Sequence, residues 1–279
     1  MYLNLDPNFT PYGASDALTF QLFTFSGGEP HFKVLETLDT IKAITITHRI
    51  RSFNDMGVLL LAVDALQRAG VKQLELILPY FPAARQDRVM VPGEPLSVKI
   101  YADLINNLHF DKVTIFDAHS EVAIALLNNC QALSNHTFIQ QIVQELGPIQ
   151  LIAPDGGALK KIYKLAAHLE GAYPVVECSK SRDVRTGKLS GFKVFADNLQ
   201  GADCLIVDDI CDGGGTFMGL ATALKEKNAG RLYLAVSHGI FSKGLEQLSQ
   251  HFEQIFTTNA FKDIEPQEGL TQINLAPFL

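Results

Sequence analysis

The stretch that decides the fold is Leu205-Ile-Val-Asp-Asp-Ile-Cys-Asp-Gly-Gly-Gly-Thr216, an apolar strand that runs into two adjacent acids and a glycine turn. Three successive glycines allow positive φ and a close approach of the backbone to a phosphate. The amides of this turn, with the Thr216 hydroxyl, favour an anion at the start of a helix. Asp208 and Asp209 are poor phosphate ligands but good partners for sugar hydroxyls or Mg²⁺. The stretch therefore predicts a sugar-phosphate site; the alternative is a strand–turn–helix corner without a ligand.

Strands alternate with helices on both sides of this stretch, which predicts an α/β fold with mainly parallel sheets covered by helices on both faces. Capping preferences favour Asn54 or Asp55 at the start of the first helix and Gly70 as its stop. The predicted elements are a strand at Ile41–Ile46, a helix through Val58–Leu66, a strand at Gln73–Leu78, a helix through Val98–Leu108, strands at Lys112–Phe116 and Gln150–Ala153, a helix over Ala158–His168, a strand at Tyr173–Glu177, a polar stretch from Ser179 to Gly191, the strand of the glycine turn, a helix to Asn228 and a strand at Arg231–Ser237.

The two halves of the chain resemble each other. Residues 65–81 and residues 223–241 each contain a helix end, a glycine stop and an alternating strand that ends at an aromatic residue. This similarity predicts two related domains, residues 1–147 and 148–279, with the boundary near Gly147-Pro148. Ligands of such folds bind at the carboxyl ends of the strands, and the polar motifs cluster there in both halves.

Composition indicates a cytoplasmic enzyme and excludes several other classes. The net charge of −7 argues against a nucleic-acid partner or an anionic membrane surface. No apolar run reaches the roughly 18 residues that a membrane span needs. The 4 cysteines show neither metal-type pairs nor a disulfide framework, so reduced thiols are expected.

A family resemblance rests on motifs in both halves. Tyr80-Phe-Pro-Ala-Ala-Arg-Gln-Asp-Arg88 closely resembles the Tyr-Phe-Gly-Tyr-Ala-Arg-Gln-Asp-Arg signature of ribose-phosphate diphosphokinases, the phosphoribosyl diphosphate (PRPP) synthetases. The glycine turn is similar to that family's Val-Asp-Asp-x-x-Asp-Thr-Gly-Gly-Thr. The resemblance extends from about Phe20 to Thr258, and the further similar segments, in the family's order, are Phe25-Ser-Gly-Gly-Glu29, the helix from Asn54-Asp55 to Ala65-Leu66, Asp117-Ala-His119, Pro154-Asp-Gly-Gly157 and Ser237-His-Gly-Ile-Phe-Ser242.

This resemblance implies two tandem phosphoribosyltransferase-like domains and transfer of the diphosphoryl group of ATP to ribose 5-phosphate, giving PRPP and AMP. It implies Mg²⁺ as cofactor, ATP and ribose 5-phosphate as substrates, and a homo-oligomer, dimer or larger; the charge and the lack of a long apolar run already indicate neither nucleic acid nor membrane as partner. The implied roles are Asp212, Gly213, Gly214, Gly215 and Thr216 for the 5-phosphate, Asp208 and Asp209 for the ribose hydroxyls, Arg85, Gln86, Asp87 and His119 for ATP, Phe25 and Glu29 for adenine from a neighbouring subunit, His119 and Asp155 for Mg²⁺, and Lys180 and Arg182 for catalysis.

Several positions depart from the family pattern. Val89–Pro95 is apolar and acidic where the family has further basic residues and a Ser-Arg segment, associated with allosteric ADP and phosphate. Gly213 replaces the threonine of the loop, and Phe25-Ser-Gly27 lacks the polar residue that touches adenine. The chain stops at Leu279, before the family's final helix is expected. We therefore expect the chemistry to be kept, and regulation and assembly to be altered.

Two other functions stay open at this point. A type I phosphoribosyltransferase shares the glycine turn but has no use for an ATP motif such as Arg85-Gln86-Asp87 in a second domain. A non-catalytic regulatory homologue would be free to lose Lys180, Arg182, His119 and the paired acids, and this chain has all of them.

Overall fold

The computed structural model describes residues 1–13, 15–182 and 189–279, and of residues 181, 182, 189 and 190 it describes the backbone alone. The chain divides into two units. The first unit is Met1–Ser134 together with Leu275–Leu279, and the second unit is Asn135–Asn274. Each unit has its own hydrophobic core. No helix in these described ranges is long and apolar enough to cross a membrane.

The first unit is built on a five-stranded sheet in which every neighbouring pair is parallel, with the order β1-β4-β5-β6-β7. Two further strands, β2 and β3, form a separate antiparallel pair. Its elements are β1 (Tyr2–Asn4), β2 (Phe20–Thr24), β3 (Pro30–Val34), β4 (Ile44–Thr47), α1 (Phe53–Arg68), β5 (Leu74–Leu78), α2 (Ser97–Asn106), β6 (Lys112–Phe116), α3 (Glu121–Leu126) and β7 (Cys130–Leu133).

Helix α1 begins at Phe53, five residues before the first apolar position of the predicted helix, Val58. The N-cap is Ser52, whose Oγ accepts a hydrogen bond of 3.2 Å from the Asp55 backbone N–H. Asp55 in turn accepts from the Ser52 hydroxyl at 2.9 Å, so neither Asn54 nor Asp55 is the cap and that prediction is wrong. The reason is that the serine hydroxyl can accept from an amide of the first turn, while the Asp55 carboxylate accepts from the Arg51 backbone N–H at 2.9 Å and fixes the approach to the helix. Gly70, with φ of +93°, ends the helix as predicted.

The second unit is built on a seven-stranded sheet with the order β10-β9-β8-β11-β12-β13-β14. All its pairs are parallel except β9 with β10. Its elements are α4 (His136–Leu146), β8 (Gln150–Ala153), α5 (Leu159–His168), β9 (Val175–Arg182), β10 (Leu189–Val194), β11 (Cys204–Cys211), α6 (Gly215–Glu226), β12 (Leu232–Gly239), β13 (Gln254–Thr258) and β14 (Leu270–Ile273).

The polar stretch Ser179–Gly191 is not a loop throughout. Strand β9 continues to Arg182, and β10 starts at Leu189 and pairs with it antiparallel. Strand β10 lies at the edge of the sheet. An antiparallel edge strand can be covered on one face only and so can contain many polar residues, and such a composition does not indicate a strand in the sequence.

The division between the units precedes helix α4, whereas the sequence placed the domain boundary after it, near Gly147-Pro148. Helix α4 buries Phe138, Ile139 and Ile142, and it lies within the second unit. A glycine stop followed by proline is equally typical of a helix end inside a domain, so the sequence could not distinguish the two cases.

Candidate active site

Three carboxylates come together at the carboxyl ends of two neighbouring strands of the second unit. Asp208 and Asp209 lie in the last half of β11, and Asp155 follows β8. The parallel register pairs Ile206 with Ile152, so the residues just after β8 lie beside the acids of β11. The sheet order thus concentrates negative charge where α/β folds bind ligands.

Asp209 is the most enclosed of the three, with 5 % of its surface exposed. Its Oδ2 receives the ammonium group of Lys161, at 3.2 Å, from helix α5. The sequence reading missed Lys161. The sequence did contain an indication of its role. Lysines at positions 160 and 161 lie in the first turn of a predicted helix, where the macrodipole disfavours cations, and a cation in such a place suggests a nearby acid.

Asp208 faces opposing electrostatic effects. Burial raises its pKa well above the ordinary value, and the negative charge of Asp209 raises it further. A hydrogen bond of 2.9 Å from the Asp209 backbone N–H to Asp208 Oδ1 acts in the opposite direction. Two adjacent acids of this kind titrate as a pair, and bound hydroxyls or a cation would stabilise the fully ionised form.

The side chain of Asp155 is fixed by hydrogen bonds from the turn that follows it. Its Oδ1 accepts hydrogen bonds from the backbone N–H groups of Gly157, at 2.8 Å, and Ala158, at 3.2 Å. Its Oδ2 forms an ion pair with Lys180 of strand β9. The structure therefore brings the predicted metal ligand and the predicted catalytic lysine into direct contact. The side chain of Arg182, the other predicted catalytic residue, lies outside the described part of the structure.

A small pocket opens beside these charges. Asp208, Asp209 and Lys161 form its polar side, and Ala158, Ile162 and Leu165 contribute an apolar wall from the region of α5. A pocket with one apolar side and a few convergent polar groups is the usual form of a small-ligand site.

The glycine turn connects β11 to α6. Gly214 caps the helix in the left-handed region, with φ of +77°. A β-carbon on Gly214 would lie 2.9 Å from Leu248 Cδ2, whereas one on Gly215 would meet nothing within 4 Å. The first amides of a helix have no carbonyl partner within the helix, so the turn presents donors suited to a phosphate, with the Thr216 hydroxyl beside them.

The predicted ATP motif lies in the first unit, after β5. Arg85 and Gln86 are exposed, while Asp87 is buried and pairs with Arg88 Nε at 3.1 Å. Burial alone would raise the pKa of Asp87, but the hydrogen bond from Arg88 and the charges of Arg88 and His119 lower it. Asp87 therefore anchors the loop as an anion near His119, and the two preceding side chains face solvent.

The β2–β3 pair presents the predicted adenine-contacting residues. Phe25 is 51 % exposed, and its ring lies 4.9 Å from that of Phe23 and 5.6 Å from that of His31, measured between centroids. The carboxylate of Glu29 occupies the space beside Gly27, where a β-carbon would lie 2.6 Å from Oε2. An exposed aromatic and an exposed acid thus share one hairpin.

The segment Val89–Pro95 forms a closed loop in the first unit. Glu94 accepts hydrogen bonds from the backbone N–H groups of Met90, at 2.9 Å, and Val91, at 3.2 Å. The carboxylate therefore has a structural role within the loop. The side chains of Val89, Met90 and Val91 are exposed, and the segment contains no cation.

The donors available for a metal ion are few. Asp155, Asp208 and Asp209 are neighbours but do not converge on one point, and within residues 1–13, 15–182 and 189–279 no three His, Cys, Asp or Glu side chains are placed to hold a metal ion together. Of the two predicted ligands, His119 lies in the first unit and Asp155 in the second. Mg²⁺ is commonly bound by one or two carboxylates together with substrate phosphates, so the Asp155 carboxylate fits it.

Comparison with known proteins identifies relatives along most of the chain. Residues 14–108 match the N-terminal domain of ribose phosphate pyrophosphokinase, and residues 127–262 match the phosphoribosyl transferase domain. The chain is 30 % identical to a ribose-phosphate pyrophosphokinase from Pyrococcus abyssi over 87 % of this chain and 84 % of the relative. A relative of the same name from Aquifex aeolicus is also 30 % identical, over 95 % of this chain and 86 % of its own length.

A solved structure confirms the predicted fold class. Phosphoribosylpyrophosphate synthetase from Mycobacterium smegmatis superposes with a TM-score of 0.85, covering 99 % of this chain and 95 % of that one, at 23 % identity. The chain therefore consists of two tandem phosphoribosyltransferase-type domains with mainly parallel sheets.

Proposed function

The chain belongs to the ribose-phosphate pyrophosphokinase family, and from that premise we propose that it transfers the diphosphoryl group of ATP to ribose 5-phosphate. The 1-hydroxyl oxygen of the sugar bonds to the β-phosphorus, the bond from that phosphorus to the α,β-bridging oxygen breaks so that this oxygen leaves on AMP, and the proton of the hydroxyl is released to solvent. The products are PRPP and AMP. The observation that carries the proposal is the group of three carboxylates and two lysines beside the glycine turn.

In this proposal the second unit binds ribose 5-phosphate. The turn from Asp212 to Thr216 receives the 5-phosphate on backbone amides, and Asp208 and Asp209 accept hydrogen bonds from the ribose hydroxyls. Lys161 supports this arrangement, because its ion pair holds the Asp209 carboxylate in place. The sugar is thereby oriented for attack, and orientation is a large part of catalysis in phosphoryl transfer.

Lys180 is the proposed catalytic cation. Its ion pair with Asp155 supports the presence of a positive charge at this position before substrate binds. Charge develops on the phosphate oxygens and on the departing AMP, and a preorganised cation offsets it. Arg182 is proposed as its partner by resemblance alone, and Arg85 and Gln86 are proposed as ATP contacts because both are exposed after β5.

Mg²⁺ is the proposed cofactor. Asp155 supplies a carboxylate that is oriented by two backbone amides, and His119 is added by resemblance. When bound, Mg²⁺ supplies positive charge that offsets the phosphates of ATP. Asp155 would hold the metal through its carboxylate, and Lys180, which pairs with the same carboxylate, would add its own positive charge beside the phosphates.

The two alternatives are less well supported. A type I phosphoribosyltransferase does not explain the match of residues 14–108 to the N-terminal domain of the pyrophosphokinases. A non-catalytic homologue does not explain why Lys180 and Asp155 are retained and in contact.

We also propose a homo-oligomer in the cytoplasm. The exposed Phe25 and Glu29 on the β2–β3 pair support a role toward a neighbouring subunit. None of the four cysteines, all within the described residues, is in a disulfide, which supports a reducing compartment. Light scattering after gel filtration measures the assembly, and a monomer at micromolar concentration would contradict it.

The activity is tested by incubating the protein with ribose 5-phosphate, ATP and Mg²⁺ and separating the nucleotides by chromatography. We expect AMP and PRPP in equal amounts, and the matched control is the Lys180→Ala variant. Formation of ADP, or no turnover with either Mg²⁺ or Mn²⁺, would show that the proposal is wrong. A parallel reaction with PRPP and purine bases tests the phosphoribosyltransferase alternative.

A further inference from the structure

We propose that Lys243 is a phosphate-binding residue of the ribose 5-phosphate site, with its ammonium group bound to the 5-phosphate in the glycine turn. The inference rests on the proposed function and adds to it a residue outside the turn itself. Neither the sequence motifs nor the predicted ligand set includes Lys243. Its position in the structure is what identifies it.

The side chain of Lys243 lies across the glycine turn. A β-carbon on Gly213 would be 3.4 Å from both Cδ and Cε of Lys243 and 3.7 Å from Cγ. The aliphatic stem therefore packs where a side chain at position 213 would otherwise be. Since Nζ is one bond beyond Cε, the charge is held within a few ångströms of the backbone that is proposed to bind phosphate.

The segment that carries Lys243 is fastened to the turn by backbone hydrogen bonds. The N–H groups of Ile240 and Phe241 both donate to the Cys211 carbonyl, at 2.9 and 3.1 Å. The N–H of Ser242 donates to the Asp212 carbonyl at 3.1 Å. These bonds fix the residue before Lys243 to the residue before Gly213, so the contact between the two follows from the backbone.

Apolar contacts secure the same segment on its other side. Leu245 and Leu248 are buried in the core of the second unit, and Leu248 lies against Gly214. The segment from Ile240 to Leu248 thus covers two consecutive glycines, Lys243 on Gly213 and Leu248 on Gly214. A lysine held in this way loses less conformational freedom when it binds an anion than a lysine on a mobile loop does.

The charge of Lys243 is available for a ligand. Lys161 and Lys180 each pair with a carboxylate of the site, whereas Lys243 forms no ion pair with any residue that the structure describes. A phosphate monoester carries close to two negative charges at neutral pH, and Asp212 adds another at the same turn. Backbone amides carry only partial positive charges, and an ammonium group adds a full charge and a stronger hydrogen bond to the phosphate.

The test measures ribose 5-phosphate binding by calorimetry without ATP, so that no turnover is needed. Lys243→Met keeps most of the aliphatic stem and removes the charge, and we expect it to raise the dissociation constant about tenfold, equivalent to about 1.4 kcal/mol. Lys243→Arg restores a cation and should recover most of the affinity. Lys164→Met, which changes an exposed lysine on α5 by the same charge, is the matched control and should bind as the wild type does.

Steady-state kinetics separate a binding role from a structural one. Lys243→Met should raise the KM for ribose 5-phosphate about tenfold and leave kcat and the KM for ATP within about twofold, since a contact made equally in ground and transition states changes KM alone. If the wild type binds ribose 5-phosphate and Lys243→Met binds it equally well, the inference is wrong and the proposed function stands. Equal losses for both substrates would also overturn it, as a sign of misfolding. A wild type that neither binds ribose 5-phosphate nor makes PRPP contradicts the proposed function itself.

Discussion

The three glycines of the turn are not equivalent, and substitution of two neighbours separates their roles. Gly214→Ala introduces a β-carbon at φ of +77°, 2.9 Å from Leu248 Cδ2 and 3.0 Å from its Cγ. Gly215→Ala introduces one in open space, at a residue whose φ is not in the left-handed region. We therefore expect Gly214→Ala to destabilise the second unit and Gly215→Ala to leave its stability intact.

The magnitude follows from two costs. A left-handed conformation costs an alanine about 1–2 kcal/mol. Inserting a methyl group against a buried side chain adds about 1–3 kcal/mol, because Leu248 must move within a packed core. The sum for Gly214→Ala is on the order of 2–5 kcal/mol. For Gly215→Ala, the first residue of α6, alanine is a better helix former than glycine by up to about 1 kcal/mol.

The assay is denaturant unfolding of wild type and both variants, followed by ribose 5-phosphate binding. Gly214→Ala should lower the free energy of unfolding, and Gly215→Ala should not. Both should bind ribose 5-phosphate more weakly, because a methyl group on either residue keeps a phosphate from the amides of the turn. Equal stability of the two variants would refute the steric argument, and normal binding by Gly215→Ala would refute the close approach of the phosphate.

Three further predictions concern charged groups. Lys180→Ala should lower kcat about 100-fold or more, because the charge of Lys180 acts chiefly in the transition state. Ribose 5-phosphate binding, measured by calorimetry, should change little. A kcat within a few-fold of wild type in steady-state kinetics would contradict this role. Asp208→Asn should abolish turnover but raise the free energy of unfolding at pH 7 by about 1 kcal/mol. Because the pKa of Asp208 is raised in the folded protein, the wild type loses stability as pH rises above the ordinary value of 3.8. The stability gained by Asp208→Asn, measured by denaturant unfolding, should therefore disappear near pH 4. An equal gain at pH 4 and pH 7 would show that the raised pKa is not its cause. ADP should inhibit competitively with ATP and without a phosphate requirement, because Val89–Pro95 has no cation; inhibition in initial-rate assays that persists at saturating ATP would show that an allosteric site remains.

Buried parallel strands were the most predictable part of the fold. The strands Lys112–Phe116 and Gln150–Ala153 have the predicted bounds. Each is a short, mostly buried run, so the change from buried to polar residues marks where the strand ends. The β2–β3 pair was not predicted, because β2 is largely exposed and shows no buried face. The short strands β13 and β14 were missed as well, since they extend the sheet beyond the last motif that the sequence made recognisable.

Some residues of the candidate site could be predicted from the sequence and others could not. The acids of β11 and the glycine turn could be read from the sequence, because a strand, its carboxyl end and the next helix are consecutive in the chain. The partners of these acids could not. Lys161 reaches Asp209 across 48 residues of sequence, and nothing local to either residue indicates the pair.

The sequence by itself determined the α/β fold class and the family, and it predicted the residues for a sugar phosphate, because local periodicity and consecutive motifs specify strands, turns and helix starts. The tertiary structure decided which charges offset one another. The parallel pairing of β8 with β11 brings Asp155 beside Asp208, and the pairing of β9 with β8 supplies Lys180. The hydrogen bonds between the segments that follow β11 and β12 place Lys243 over Gly213. Such contacts depend on strand order and register, which arise from the burial of whole faces and not from any single stretch of the chain.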